Sequence, residues 1–276
     1  MGASGNRRFF SWLMQYVNEI WAIASRILTE LWRRKRSFIF WAIFPIAILL
    51  LNGLIFAERS KTVAPEPFTL GQALERSAPA TLIGAALFFS CVGGSVATVV
   101  TEREQQTLKR LFLSPLSGFS YFLGICFAHS TIAIAQTILV TATAIGLGAT
   151  FKGNLGLALA IVALSIIAYV GIGFLLGTQL AQRTEDVNTL IAAFGVPLLI
   201  LGGAFVPAFI FPQQLLELAR YNPIYHMTEA LTAVVAEGAS LADIADHFWV
   251  LAIFALGMLG AGWVAYRRML IVERRL

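Results

Sequence analysis

The sequence predicts an all-α membrane protein with an N-terminal interfacial amphipathic helix, six transmembrane helices, and short re-entrant helices between spans five and six on the external side. Of the 276 residues, 58% are hydrophobic and 13% are charged, and the mean hydropathy is +0.77. A soluble domain of this length is far less apolar. Six uncharged runs also reach the roughly 20 residues that a helix needs to cross a bilayer. These runs are residues 38–57, 79–100, 119–148, 155–180, 189–210 and 248–266.

The distribution of basic residues predicts the topology. Six spans place both termini on one side of the membrane, and fifteen of the twenty Lys and Arg residues fall on that side. Because basic residues concentrate on the cytoplasmic side of membrane proteins, both termini are predicted to be cytoplasmic. The basic excess is thereby explained without a nucleic-acid partner. We treat residues 1–276 as one transmembrane domain and expect no cleavable signal peptide.

Residues 9–36 have the pattern of a helix that lies along a membrane surface. At about 100° per residue, one narrow face is apolar and the opposite face is polar. The apolar face consists of Leu13, Val17, Ile20, Ala24, Ile27 and Leu31. The basic run at 33–36 is expected to hold the start of the first span inside the cell, since each Arg or Lys costs about 3 kcal/mol to insert.

Residues 101–118 form the most strongly charged interruption between two spans. We interpret them as a short cytoplasmic helix that opens with acidic residues and closes with basic ones, an arrangement that suits the helix dipole. Pro115 would end it. An ordinary solvated loop is the alternative interpretation. The residues concerned are Glu102, Arg103, Glu104, Thr107, Leu108, Lys109, Arg110 and Leu111.

Small and polar residues inside the spans predict helix packing. Residues 93–95 in the second span and the pair Gly173 and Gly177 in the fourth permit close approach of a neighbouring helix. We interpret His129 as a partner in a hydrogen bond between helices. The three histidines are expected to be scattered, and neither cysteine has a metal-binding neighbourhood, so no catalytic, cofactor-binding or metal-binding residue is assigned.

Residues 205–237 are too polar to span a membrane and too apolar for a free loop. Pro212 is placed to start a short helix, and Asn222 with Pro223 separates it from a second one. We predict that both helices dip back into the outer leaflet, where irregular backbone must be covered by protein. For the aromatic residues of this segment, interfacial anchoring is an equally ordinary role. The candidate gate residues are Phe205, Pro207, Phe209, Asn222, Pro223 and Tyr225.

Two spaced motifs resemble those of the ABC type-2 permeases, the membrane subunits of bacterial drug, polysaccharide and lipo-oligosaccharide exporters. The family pattern E-x-E-x-G-T-L-x-x-L-x-x-x-P follows the second span, and here Gln106 stands in place of its glycine. The second pattern is G-A-F-x-P followed by N-P-x-x-Y or a close variant, here with Tyr225 one residue early. The resemblance covers nearly the whole chain. The matching residues are Glu102, Glu104, Thr107, Leu108, Leu111, Pro115, Gly203, Ala204, Phe205, Pro207, Asn222 and Pro223.

The resemblance implies a transport subunit of the bacterial inner membrane that is not itself an enzyme. Two copies of a separate ATP-binding cassette subunit, which would carry ATP and Mg²⁺, would dock on two copies of this chain. Residues 101–118 would serve as the ATPase-coupling helix. The cargo is expected to be amphipathic, lipid-linked or hydrophobic and to leave the cytoplasm or the inner leaflet. The chain itself has no GxxxxGK[ST] loop.

Two other classes of protein remain as alternatives. An ion-coupled secondary transporter would be expected to show carboxylates inside its spans or an internal repeat, and neither is visible in the sequence. A membrane-embedded enzyme would be expected to show His, Asp or Glu clustered at one depth of the membrane. A neighbouring or copurifying ATP-binding protein would distinguish these classes from the ABC type-2 permeases.

Overall fold

The structure is a computed structural model that describes residues 3–63, 66–107, 110, 116–208 and 211–273. Its main helices are α1 Ala3–Arg33, α2 Lys35–Val63, α3 Leu70–Glu104, α4 Gly118–Gly146, α5 Leu155–Gln179, α6 Thr184–Leu201, α7 Gln213–Ala219, α8 Pro223–Thr232 and α9 Ala245–Glu273. Six of the described helices, α2 to α6 and α9, are long and apolar enough to cross a membrane. The predicted all-α class with six transmembrane helices is confirmed.

The second span is much longer than its apolar run. Helix α3 extends over 35 residues, including a π-helical stretch at Leu82–Gly93. Its start is set by Thr69, whose hydroxyl accepts a hydrogen bond from the backbone NH of Gln72, while the Gln72 side chain accepts from the Thr69 NH. This reciprocal capping box starts the helix before the predicted residue 79. We call the end of the bundle where Glu75 lies the Glu75 end, and the opposite one the Glu102 end.

The fifth span is shorter than predicted and lies earlier in the chain. Helix α6 begins at Thr184 and ends at Leu201, so the second half of the predicted run at 189–210 lies beyond this helix. The backbone NH of Ala204 bonds to the carbonyl of Leu199, and that of Gly203 to the carbonyl of Ile200. Gly203 has φ +78°, the left-handed conformation that ends helices in this way and favours glycine.

Helices α3 and α5 form the centre of the bundle. In the most apolar part of α3, 78% of the residues are buried, whereas the figure is 17% for both α2 and α6. Small residues permit the central contacts: a Cβ on Gly173 would lie 2.5 Å from Oγ of Ser95, and one on Gly171 would lie 2.5 Å from the Met258 backbone of α9. The predicted close packing at residues 93–95 and at Gly173 is confirmed.

Helix α1 packs against α4. Ile23, Ala24 and Ile27 are buried in this contact, and Gly124 leaves the room, since a Cβ there would lie 2.7 Å from Ile23. Of the apolar face predicted to lie along the membrane surface, Ala24 and Ile27 are buried in this contact, whereas Val17 is 52% exposed. The interfacial position of α1 stays a prediction. The helix also ends at Arg33, before the predicted residue 36.

Two short helices follow the fifth span, as expected. Pro212 precedes α7, and Asn222 caps α8 by accepting a hydrogen bond from the NH of Ile224. The amide of Asn222 also donates to the carbonyl of Leu198, at 2.7 Å, and so attaches α8 to α6. The depth of these helices in a membrane stays a prediction.

Candidate functional site

Three consecutive charged residues end α3 at the Glu102 end. Successive side chains of an α-helix point about 100° apart, so Glu102, Arg103 and Glu104 face three directions. Thr101 to Glu104 continue the long helix, and the prediction that these residues open a new helix is wrong. The partners of these three charged residues lie on five other helices and on the α5–α6 connection.

Glu102 joins α3 to α1 and α4. One of its carboxylate oxygens forms an ion pair with Arg26, and the other accepts a hydrogen bond from the hydroxyl of Tyr121. The Glu102 side chain is only 10% exposed, and that of Arg26 is 38% exposed. A buried carboxylate requires such partners, because removing one of them leaves a charge without compensation. Glu102 is thus directed into the bundle.

Arg103 joins α3 to the end of α5. Its guanidinium donates to the carbonyls of Gly177 and Ala181, both at 3.0 Å, and contacts the sulfur of Met269 on α9. The last carbonyls of a helix lack partners within the helix and attract cations. Arg103 satisfies this requirement at the end of α5.

Glu104 joins α3 to the start of α6. Its carboxylate accepts hydrogen bonds from the backbone NH of Thr184, at 3.0 Å, and from the Thr184 hydroxyl. A carboxylate next to the first NH groups of a helix is favourable both as an acceptor and through the helix dipole. We call Glu102, Arg103 and Glu104 the anchor triplet.

The chain turns immediately after the anchor triplet. Gln106 has φ +54°, the left-handed conformation that a residue with a side chain adopts only at a cost. This is the position where the resembling family has glycine, so the structure supplies a backbone reason for that glycine. Gln105, Gln106 and Arg110 are exposed and Thr107 is partly exposed. The predicted coupling residues Leu108, Lys109 and Leu111 lie outside the described residues.

A second candidate site is a cavity of about 490 Å³ at the Glu75 end. Two of the predicted gate residues, Pro207 and Tyr225, line it. Asn222 and Pro223 instead cap and begin α8, and Phe205 packs against the core. Phe209 lies outside the described residues. We call this space the Glu229 cavity, after the half-buried carboxylate in its wall.

The histidines are arranged differently from the prediction. His129 meets the hydroxyl of Thr98 at 3.1 Å, which confirms its role in a contact between helices. His226 and His247, however, are not scattered: their Nδ1 atoms are 2.9 Å apart, which joins α8 to the start of α9. No local pattern indicates this pair, because 21 positions separate its members.

Sequence reasoning missed Arg26, Tyr121 and Thr184 as partners of the anchor triplet. Arg26 lies on the polar face of the predicted amphipathic helix, and its partner Glu102 lies 76 positions away. The only local signal was a basic residue on an amphipathic helix, which fits solvent or headgroup contact equally well.

The chain is similar to a protein-family model and to several known proteins. Residues 18–235 match the family model described as ABC-2 type transporter. The chain is 29% identical over 174 residues to the "Probable multidrug ABC transporter permease YbhR" of Escherichia coli (strain K12), covering 62% of this chain and 46% of that protein. It is 24% identical over 163 residues to the "Inner membrane transport permease YhhJ" of the same strain, covering 58% and 43%.

A third relative comes from a different organism. The "Putative transport permease ycf38" of Porphyra purpurea is 23% identical over 221 residues, which cover 79% of this chain and 74% of that protein. The chain spans less than half the length of the two Escherichia coli relatives that it matches. The family match nevertheless includes most of the 276 residues, both the anchor triplet and the Gly203 turn. The chain therefore belongs to the ABC-2 type transporter family.

Proposed function

We propose that this chain is the membrane-spanning permease subunit of an ATP-driven exporter, with the ATP-binding site on a separate partner subunit. The observation that carries the proposal is the anchor triplet. At one end of the bundle, three adjacent residues join α3 to α1, α4, α5, α6 and α9. A force applied to the turn that follows would reach these helices through hydrogen-bonded contacts rather than through loose loops.

Within residues 101–118, the exposure of each side chain indicates whether it would transmit movement or contact the ATPase. Glu102 and Arg103 are directed into the bundle and transmit movement, whereas Gln105, Gln106 and Arg110 are exposed and form the described part of the surface that contacts the ATPase. The Glu102 end would then be cytoplasmic, with both termini inside the cell and the protein in the bacterial inner membrane. This orientation agrees with the distribution of basic residues.

The assembly would contain two copies of this chain and two of the ATP-binding cassette subunit, with ATP and Mg²⁺ held by the latter. The exposed surfaces of helices α2 and α6 favour the presence of a second copy. They carry large apolar side chains such as Phe40, Leu54 and Phe194. Part of this surface would pack against the partner copy and part against lipid. Closure of the ATPase would shift the first, second and fifth spans and open an outward path between the copies. An amphipathic, lipid-linked or hydrophobic cargo fits these apolar surfaces.

A reconstituted complex tests the proposal. The chain is coexpressed with the ATP-binding protein that copurifies with it, and ATP hydrolysis by the complex is compared with hydrolysis by that protein alone. We expect Arg110→Ala to lower the stimulation by the permease several-fold. Lys61→Ala is the matched control, since Lys61 is exposed at the opposite end and pairs with Glu58. Equal stimulation in both variants, or transport by the chain alone without nucleotide, would contradict the proposal.

A further inference from the structure

The Glu229 cavity is lined by residues from at least four parts of the chain. Arg59 comes from the end of α2, Arg76 from the start of α3, and Phe211 from the segment between α6 and α7. Tyr225 and Glu229 come from α8. Its volume of about 490 Å³ lies within the usual range for sites that bind small molecules.

The cavity contains opposite charges that do not neutralise each other. Arg59, Arg76, Glu229 and Glu237 all line it, and Glu237 lies close enough to Glu229 to affect its carboxyl group. None of these four side chains forms an ion pair with a described residue. The Arg76 guanidinium lies 5.1 Å from the centre of the Phe68 ring, which holds it beside an aromatic face. The charges of these four described side chains therefore sum to about zero, although no two of them form an ion pair.

Of the charged groups that line the cavity, Glu229 would be stabilised most by a partner of opposite charge. It is half-buried, and burial, with a smaller contribution from the charge of Glu237, raises the pKa of its carboxyl group. A carboxylate that loses water without gaining a cation is unfavourable. A ligand that brings an ammonium group would supply the missing interaction.

The apolar lining indicates that the ligand is more than an ion. Phe56, Phe211, Leu216 and Tyr225 share the cavity with the charged groups. Aromatic faces attract ammonium groups, and their apolar area accommodates hydrocarbon. A simple cation would leave Arg59 and Arg76 unused and would be repelled by them, and a simple anion would be repelled by Glu229 and Glu237.

We propose that the Glu229 cavity binds a zwitterionic amphiphile, with its ammonium group at Glu229 and Glu237, its phosphate at Arg59 and Arg76, and its hydrocarbon against Phe56 and Phe211. The site belongs to the chain itself and is independent of the proposed coupling to an ATPase. Binding can therefore be measured on the purified chain without nucleotide or partner. Two sources offer this chemistry, a membrane phospholipid and a soluble amphiphile, and they need separate measurements.

The first measurement uses dodecylphosphocholine, added below its micellar concentration to the chain in maltoside detergent. Dodecyltrimethylammonium, which has the same hydrocarbon but only the positive charge, is the comparison ligand. We expect saturable binding of the zwitterion that falls about tenfold in Glu229→Gln and in Arg76→Gln, since each removes a charge-assisted contact. Glu58→Gln, an exposed variant outside the cavity, should bind like the original chain.

The second measurement places the chain in phosphatidylglycerol nanodiscs that contain a small fraction of phosphatidylethanolamine, and counts the retained lipids by native mass spectrometry. Preferential retention of phosphatidylethanolamine, lost in the same two variants, would identify a phospholipid as the ligand. Binding of dodecylphosphocholine alone would identify a soluble amphiphile.

Three outcomes would overturn the proposal: zwitterion binding that Glu229→Gln leaves unchanged, equal binding of the cation that Arg76→Gln does not affect, or no binding in either measurement. Gel filtration and thermal unfolding of each variant show whether it is folded. Because Arg76 is exposed, Arg76→Gln should fold normally and keeps the test decisive even if Glu229→Gln does not.

Discussion

Two buried carboxylates, one near each end of α3, have similar surroundings but different connections. Glu75 pairs with Lys152 and accepts a hydrogen bond from Thr150, and Glu102 pairs with Arg26 and accepts one from Tyr121. The partners of Glu75 lie in the short α4–α5 connection, between two helices that pack in the bundle. Glu102 instead reaches α1, and its neighbours Arg103 and Glu104 reach α5, α6 and α9. A buried carboxylate with a cation and a hydroxyl as partners thus holds the α4–α5 connection against α3 at the Glu75 end. At the Glu102 end the same combination joins separate helices.

The largest expected effect follows from removing the cation at the Glu102 end. Arg26→Met keeps the aliphatic stem but leaves Glu102 without its ion pair. We expect a loss of about 2–4 kcal/mol in stability, somewhat less than the roughly 3–5 kcal/mol for a fully buried pair, because Arg26 is partly exposed. Stimulation of the ATPase should fall as well. Thermal unfolding and ATP hydrolysis measure the two effects.

Helix α1 supplies a matched control for this variant. Arg34 pairs with Glu30, and both side chains are about 60% exposed, at 61% and 59%. Arg34→Met should therefore change stability by no more than about 0.5 kcal/mol. If both variants behaved alike, the distinction between the buried pair and the exposed one would fail.

The equivalent change at the Glu75 end should separate stability from coupling. Lys152→Met leaves Glu75, whose side chain is 4% exposed, with only the Thr150 hydroxyl. We expect a loss of about 2 kcal/mol, because Lys152 is itself half-exposed and the hydrogen bond remains. ATP hydrolysis per folded complex should stay unchanged. A loss of coupling as large as that in Arg26→Met would show that the two ends do not differ as proposed.

Glu229→Gln should stabilise the ligand-free chain at neutral pH, by less than the losses above. The folded pKa of Glu229 is raised, first by burial and then by Glu237, so the folded state holds this proton more tightly than the unfolded state. Stability then falls as pH rises through the interval between the two pKa values, and the penalty is complete above the folded one. Thermal unfolding should show a higher Tm for the variant at pH 7.5 and little difference at pH 4. An advantage independent of pH would exclude this cause.

The smallest effect concerns the turn after the anchor triplet. Gln106→Gly removes the strain of φ +54°, worth about 1–2 kcal/mol, but increases the entropy of the unfolded chain by up to about 1 kcal/mol. We expect a net gain of about 0.5–1 kcal/mol in thermal unfolding. Gln106→Ala removes the same side chain without relieving the backbone and should give no such gain. A gain in both variants would assign the effect to the side chain instead.

The six spans and the small residues between them could be predicted because both depend on local sequence. The length of an apolar run indicates the length of a span, and glycines such as Gly173 indicate where two helices approach each other closely. The start of α3 at Leu70 was not predicted, because a polar first turn capped by Thr69 contributes nothing to an apolar run.

The partners of the charged residues could not be predicted, because they depend on tertiary structure. The triplet at 102–104 suits a helix start by its charge order, yet it ends α3, where Arg26 and Thr184 compensate its carboxylates. The pairing of His226 with His247 follows from the packing of α8 against α9 in the same way. The gate stays a prediction: Pro207 and Tyr225 line the cavity, whereas Phe205 packs against the core.

The continuity of α3 has a mechanical consequence. Thirty-five residues form a rod about 50 Å long, well beyond the roughly 30 Å of a hydrocarbon core. A tilt of about 10° around its midpoint would carry each tip about 4 Å in opposite directions. The helix would thus act as a lever with a buried, ion-paired carboxylate near each end. A torque applied at the Glu102 end would reach the Glu75 end without any relay of side chains in between.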